Sequence, residues 1–310
     1  MTEPGSLPNP ADTLADAEAA FRRYEAIRPR LPAATFPDAP DRLPTLAEAA
    51  DRYDGFILDG FGVLNTGDTP IPGAIARMAD LRRRGKRLTV LTNAASYSRS
   101  GVVAKYRKLG FDFTPDEVIS SRDIAAGRIA ALYPGGTWAA IAAEGDDFHD
   151  IPAPCRDALA DPSALASADG ILLLSSQRRT PGLTARIAKA LAHRPRPLVI
   201  ANPDLVAPRE DRLSTEPGFH AHAILDAQPL TVHWFGKPFS DAFDEAAART
   251  GLPRARLAMV GDTLHTDILG GRAAGMGTVL VTDHGLFRGL PVGPYIARSG
   301  IVPDVIVATT

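Results

Sequence analysis

Several polar side chains stand directly after short apolar runs: Asp59 after "FIL", Thr92 and Asn93 after "LTVL", and Asp262 after "AMVG". Lys237 sits in "HWFGKP". In parallel α/β sheets ligands gather beyond the carboxyl ends of strands, so such positions carry first weight. Singly, each has a bland reading: Asp59-Gly60 and "GDT" as turns, "TN" as a helix start, Lys237 as a surface lysine. Together they complement one another. A carboxylate pair can hold Mg²⁺, while a lysine and a hydroxyl can bind an anion.

The elements that must position these residues follow from the apolar pattern. "FILD", "LTVLT", "EVISS", "WAAIAA", "ILLLSS", "PLVIAN", "LAMVGD" and "TVLVTD" are strand candidates, many without the polar alternation of a half-exposed strand. Helical stretches such as "IPGAIARMADLRRRG", "GVVAKYRKLG", "RDIAAGRIAALY" and "FSDAFDEAAARTG" separate several of them. This alternation predicts an α/β fold with a parallel sheet. Residues 1–44 hold eight prolines and read as an extended arm. Within the arm, Leu14, Ala17, Phe21, Tyr24 and Ile27 share one face of an accessory helix, expected to pack on the main body or on a partner subunit.

Composition narrows the function classes. The chain of 310 residues is 45% hydrophobic and 23% charged, with a formal net charge of -2. That is the composition of an ordinary globular protein, and its length suits two domains. "RRRGKR" at 82–87 is the one basic block, read as a solvated helix end, and no nucleic-acid partner is expected. The single cysteine, Cys155, can form no intrachain disulfide and lacks the neighbours of a zinc site. With neither a signal-peptide pattern nor a long apolar run, a cytoplasmic protein with no membrane partner is expected.

The order "FILDGFGVL", "VLTNAAS", "FGKP", "MVGDTLHTDI" resembles the four signature motifs of the haloacid dehalogenase (HAD) superfamily, and more narrowly its class IIA branch of NagD-type and pyridoxal-phosphate or p-nitrophenyl phosphatases. "ANPD" at 201–204 is similar to that branch's cap segment, and "GDTLHTDILGGRAAGMGTVLV" to its extended final motif. The resemblance covers about residues 50–285. It implies a Rossmann-like core at 49–135 and 232–310, an inserted α/β cap of the C2 type at 136–231, and an arm at 1–48.

It also implies roles. Asp59 would be the nucleophile forming an aspartyl-phosphate. Thr92 would bind a phosphoryl oxygen with Asn93 beside it, and Lys237 would neutralise the phosphate and hold Asp59. Asp59, the backbone carbonyl of Phe61, Asp262 and Asp267 would hold Mg²⁺, and Asn202 and Asp204 would face the site from the cap, unless they only form a turn around Pro203. The implied partner is a small phosphorylated metabolite, and the cap and the N-terminal helix are surfaces for a homodimer.

One residue departs from the family's pattern. Phosphatases of the family have an aspartate two residues after the nucleophile, which protonates the leaving group and activates water; here stands Phe61. A bacterial class IIA subgroup with an aromatic residue there is the best match. General acid-base assistance is worth roughly 10²- to 10⁴-fold, so three outcomes are open. Another group replaces it, the candidates being His265, His233, Asn65, His149, His220 and His222; the "HAH" at 220–222 has no third ligand nearby for a metal. Alternatively the leaving group needs little protonation, as in the family's dehalogenases, although those do not use the carboxylate pair of Asp262 and Asp267. Or the protein binds a phosphorylated metabolite with at most one turnover, as a sensor or scaffold.

Overall fold

Leucine, isoleucine, valine and phenylalanine of the central strands are buried on both faces, which is what a parallel sheet covered by helices on each side requires. The computed structural model describes residues 14, 16–178, 180–209 and 212–310. Strands β1 (Asp41–Thr45), β2 (Gly55–Leu58), β3 (Arg87–Thr92), β4 (Val118–Ser120), β5 (Trp138–Ile141) and β6 (Cys155–Asp157) come first along the chain. They are followed by β7 (Gly170–Leu173), β8 (Leu198–Ile200), β9 (Val232–Trp234), β10 (Leu257–Gly261), β11 (Gly277–Val281) and β12 (Val305–Thr309). Seven form the core sheet in the order β1-β12-β11-β10-β2-β3-β4, and five form a second sheet in the order β9-β8-β7-β5-β6. Every pairing within the two sheets is parallel.

Alternation along β2 and β10 divides the core into two layers. Phe56, Leu58, Ala258 and Val260 enter one apolar cluster; Ile57, Leu257 and Met259 enter the other. That second cluster runs on without a break into Trp138, Leu172 and Val199 of the second sheet. The inserted sheet is therefore joined to the core through a common apolar interior, and its opposite face packs a separate cluster with helix Leu183–His193.

The predicted strands form, with two boundaries displaced. β1 lies in the stretch expected to be an arm, yet it pairs with β12 from Asp41↔Val305 to Thr45↔Thr309. It is an edge strand, the position in a sheet that tolerates Pro44, and its mostly exposed residues carry no apolar signal. β9, assigned from sequence to the returning core, instead pairs with β8 from Leu198↔Val232 to Ile200↔Trp234, so the second sheet extends through Trp234. Cys155 is unpaired, and burial pushes its thiol up to about 12. Among the described residues no helix is long and apolar enough to cross a membrane.

Residues 1–13 and 15 of the arm lie outside the described part. Helix α1 (Ala17–Ile27) starts at Asp16, whose carboxylate accepts from the Ala19 N–H at 2.8 Å. Ala17, Phe21, Tyr24 and Ile27 of its predicted apolar face are buried against this chain's own body, while Leu14 lies before the helix and is half-buried. The helix braces both sheets. Toward the core, Glu25 meets His265 Nε2 at 2.5 Å and Tyr24 stacks on the same imidazole. Toward the inserted domain, the Leu205 N–H donates to the Tyr24 hydroxyl, and Arg23 and Arg30 both pair with Asp226.

His222 sits under this brace, stacked on Trp234 and facing Arg30, Arg23 and Asp226. Burial, aided by the two arginines and opposed by Asp226, pushes its pKa down to about 3. The folded protein thus keeps His222 neutral while the unfolded chain protonates it near its ordinary value of 6.5. Stability is lost on this account as pH falls from about 6.5 toward 3. We expect the urea midpoint of the wild type to fall more between pH 7 and pH 4.5 than that of His222→Asn; parallel falls would contradict the assignment.

Candidate active site

Asp59, Thr92 and Asp262 stand at the carboxyl ends of adjacent strands β2, β3 and β10, because β2 pairs with β10 on one side and β3 on the other. The strands' register brings the three side chains together from positions far apart in sequence. Asp59 continues the ladder, its N–H donating to the Val260 carbonyl at 2.9 Å, and its Oδ1 accepts from the Gly60 N–H at 2.7 Å. Asp267 is delivered by a π-helical turn, Leu264–Ile268, a deviation that recurs at functional sites. Its Oδ2 accepts from the Thr263 N–H at 3.0 Å.

Lys237 joins the set from the connection after β9. Its buried ammonium lies 2.6 Å from Asp59 Oδ1 and 2.7 Å from Asp267 Oδ1. Burial works to lower its pKa, but Asp267, Asp59 and Asp204 outweigh it and hold the lysine above its ordinary range. The lysine backbone is held just as firmly: its N–H donates to Asn93 Oδ1 at 2.8 Å, and its carbonyl accepts from Asn93 Nδ2 at 2.9 Å. Gly236 before it has φ of +129°, and a Cβ there would come within 2.3 Å of Ser121 Oγ and 2.6 Å of Asn93 Oδ1. Only glycine fits so close an approach.

Asn93 spends its remaining capacity on Asp204, to which Nδ2 donates at 2.7 Å, and on Ser121, whose hydroxyl donates to Oδ1 at 3.0 Å. An amide offers two donors and two lone pairs, so this side chain is fully engaged by protein. The Thr92 hydroxyl accepts from the Ala94 N–H at 3.2 Å and lines the cavity with Tyr106. From the inserted domain, Asn202 Oδ1 accepts from the Asp204 N–H at 3.0 Å, and its Nδ2 donates to Glu216 at 3.1 Å. The turn around Pro203 and a place facing the site thus coexist, since Asn202 and Asp204 line one cavity with Asp59, Thr92 and Asp262. That cavity has a volume of about 850 Å³.

Asp59, Asp262 and Asp267 each offer a carboxylate oxygen, the three lying within 4.8 Å of one another. Burial, reinforced by Asp267 and Asp59, pushes Asp262 up to about 8; burial pushes Asp59 up to about 6 against the pull of Lys237. Three crowded carboxylates and one ammonium leave negative charge in excess, and hard oxygen donors suit a small divalent cation. The backbone is carved to seat them. A Cβ on Gly285 would fall 2.1 Å from Asp262 Oδ2, and one on Gly261 2.0 Å from Asp267 Cγ. The residues fit a bound Mg²⁺.

The substitutes expected for the missing acid-base group lie elsewhere: none of His149, His220, His222, His233 and His265 lines the cavity, nor does Asn65. His265 is buried under α1 against Glu25, and burial holds its pKa below the usual range. His149 is exposed and pairs with Asp147; Thr184 partners His220; Asn65 Nδ2 donates to the Gly67 carbonyl at 2.7 Å. The helix Pro217–Ala227 carries His220 and His222 to different neighbours, so the "HAH" is no metal pair. Phe61 does line the cavity. So do Lys105, Tyr106, Arg209 and Glu216, none anticipated from sequence: Lys105 and Tyr106 sit inside a helix rather than directly after a strand, and Arg209 follows strand Val206–Pro208 of a short antiparallel hairpin.

Comparison with known proteins gives concordant findings. Residues 56–149 match a family described as haloacid dehalogenase-like hydrolase, and residues 234–293 match a second HAD hydrolase-like family. The chain is 30% identical over 281 residues to glycerol-3-phosphate phosphatase from Gallus gallus, covering 83% of this chain and 89% of the relative. The crystal structure of a possible sugar phosphatase of the HAD superfamily from Cytophaga hutchinsonii superposes with a TM-score of 0.75 at 27% identity, covering 87% of this chain and 98% of the other. A glycerol phosphate phosphatase from Mycobacterium tuberculosis, solved in complex with magnesium, has a TM-score of 0.65 at 27% identity, covering 83% and 75%.

Because Gly285 leaves no room for a Cβ, Gly285→Ala must displace the Asp262 carboxylate, whose Oδ2 accepts from the Leu286 N–H at 2.7 Å. We expect a folded variant, destabilised by about 1–3 kcal/mol, that binds Mg²⁺ at least about tenfold more weakly by isothermal calorimetry. Unchanged Mg²⁺ affinity would remove Asp262 from the cation site.

Proposed function

The chain belongs to the haloacid dehalogenase-like hydrolases, and from that premise we propose that it hydrolyses the phosphate ester of a small metabolite through an aspartyl-phosphate at Asp59. The observation that supports this most is the buried cluster itself: Lys237 within 2.7 Å of both Asp59 and Asp267, with Asp262 completing a set of three carboxylates. The phosphatases among its relatives support the reaction class.

In this reading Asp59 attacks phosphorus, forming a carboxylate oxygen–phosphorus bond while the bond to the leaving oxygen breaks and its electron pair departs with that oxygen. Water then hydrolyses the acyl phosphate. Lys237 keeps Asp59 ionised and offsets charge on the phosphoryl oxygens, and the Thr92 hydroxyl donates to one of them. Asn93 acts by position, clamping Lys237 and Asp204. Asn202 and Asp204 meet the organic part of the substrate from the cap. Asp59, the Phe61 carbonyl, Asp262 and Asp267 would hold Mg²⁺, an ion with which the M. tuberculosis relative was solved; when bound it neutralises phosphoryl charge.

Phe61 can neither give nor take a proton, so departure of a basic alkoxide is slow and departure of a stabilised leaving group is not. The same residue favours a second reading, in which the protein holds a phosphorylated metabolite and turns over at most once.

Steady-state assays separate these. We expect the wild type to hydrolyse p-nitrophenyl phosphate with Mg²⁺ and to lose activity with EDTA or with Asp59→Asn. Phe61→Asp should speed alkyl phosphate hydrolysis by roughly 10²- to 10⁴-fold while changing p-nitrophenyl phosphate far less. Turnover surviving Asp59→Asn would contradict the phosphatase mechanism; an inert wild type beside an active Phe61→Asp would favour the binding role.

A further inference from the structure

Phe61 has two cationic neighbours. The Lys105 ammonium lies 4.4 Å from the centroid of the Phe61 ring, and the Arg209 guanidinium carbon 5.2 Å from it. Lys105 comes from the core helix Arg99–Lys108, and Arg209 from the cap just after strand Val206–Pro208. Both line the same cavity as Asp59 and Asp262.

Their electrostatic situations differ. Arg209 is partly neutralised: it pairs with Glu216 at 3.0 Å and donates from Nε to Ser214 at 2.8 Å. Lys105 is half-buried and, among the described residues, has a ring contact but no hydrogen bond or ion pair. Burial lowers its pKa; Asp68 and Asp59 oppose this through space, and Arg209 adds to it. Asp68 is exposed and makes no ion pair with it. A ring face satisfies a cation less well than a carboxylate does, so among the described residues Lys105 has no anionic partner of its own.

We propose that Lys105 and Arg209 form a second anion subsite, and that the substrate carries, on the side away from its phosphate, a carboxylate that binds there. Among the described residues Arg209 is offset by Glu216 and the Lys105 ammonium is left to match, which suits a singly charged carboxylate rather than a second phosphate. The phenylalanine ring at position 61 holds the ammonium in place without consuming its charge. The inference rests on the phosphatase reading for which end of the substrate is phosphorylated.

Binding of two non-hydrolysable phosphonates tests this without turnover. Phosphonoacetate and propylphosphonate are alike in size, but only the first bears a carboxylate. By calorimetry with Mg²⁺, the wild type should bind phosphonoacetate about tenfold or more tightly than propylphosphonate. Lys105→Met, which keeps the aliphatic stem on the Phe61 ring, should abolish that preference, and Lys105→Arg should restore it. Equal affinities in the wild type, a preference that survives Lys105→Met, or no binding of either phosphonate would overturn the proposal. Failure of the phosphatase reading shows separately, as turnover that survives Asp59→Asn.

Discussion

The buried ammonium of Lys237 is the point on which the site depends. It is held between Asp59 and Asp267, and the groups that aim it come from everywhere else in the fold. Asn93 at the end of β3 grips its backbone on both sides, Ser121 steadies Asn93, and the same amide reaches across to Asp204 in the cap. Removing one partner of such a buried ionic group leaves an uncompensated charge and costs roughly 3–5 kcal/mol. The cluster is thus not a passive lining; the closing of the core around strands β2, β3 and β10 and the seating of the cap both terminate in it.

The inserted domain is part of the cavity wall. One apolar cluster is common to both sheets, α1 crosses from the π-helical turn to the inserted domain, and one hydrogen bond from Asn93 ties the neighbourhood of Lys237 to the "ANPD" segment. A substrate between them meets fixed polar groups on both sides. Pre-organisation of this kind favours electrostatic stabilisation, which needs donors in place before the reaction. It also fits a site without a proton donor at position 61, where positioning and charge carry more of the work.

Much of this was legible in sequence because the informative residues obey strong local rules. Central strands must be apolar on both faces, and Asp59, Thr92 and Asp262 each follow such a run at the end where a parallel sheet presents its ligands. Edge elements obey weaker rules: β1 is mostly exposed and contains Pro44, and β9 is half-buried throughout, so neither announces its sheet. The histidines misled for a related reason. Their chemistry suggested a proton donor, but spacing says nothing about which side of a helix or turn a ring occupies, and His265 and His222 are packed away under α1 and against Trp234. Lys105, Arg209 and Phe61 meet only through tertiary contacts between a core helix and a cap hairpin, for which no linear pattern exists.

The most direct test of the account is chemical identification of the residue that takes up the phosphoryl group. Enzyme mixed with p-nitrophenyl phosphate and Mg²⁺ is quenched in acid, reduced with borohydride, which converts an aspartyl-phosphate to homoserine, and mapped by peptide mass spectrometry. The account predicts homoserine at position 59 and nowhere else, absent without substrate. Steady turnover with no reduced residue at position 59, or with the label on another side chain, would contradict it.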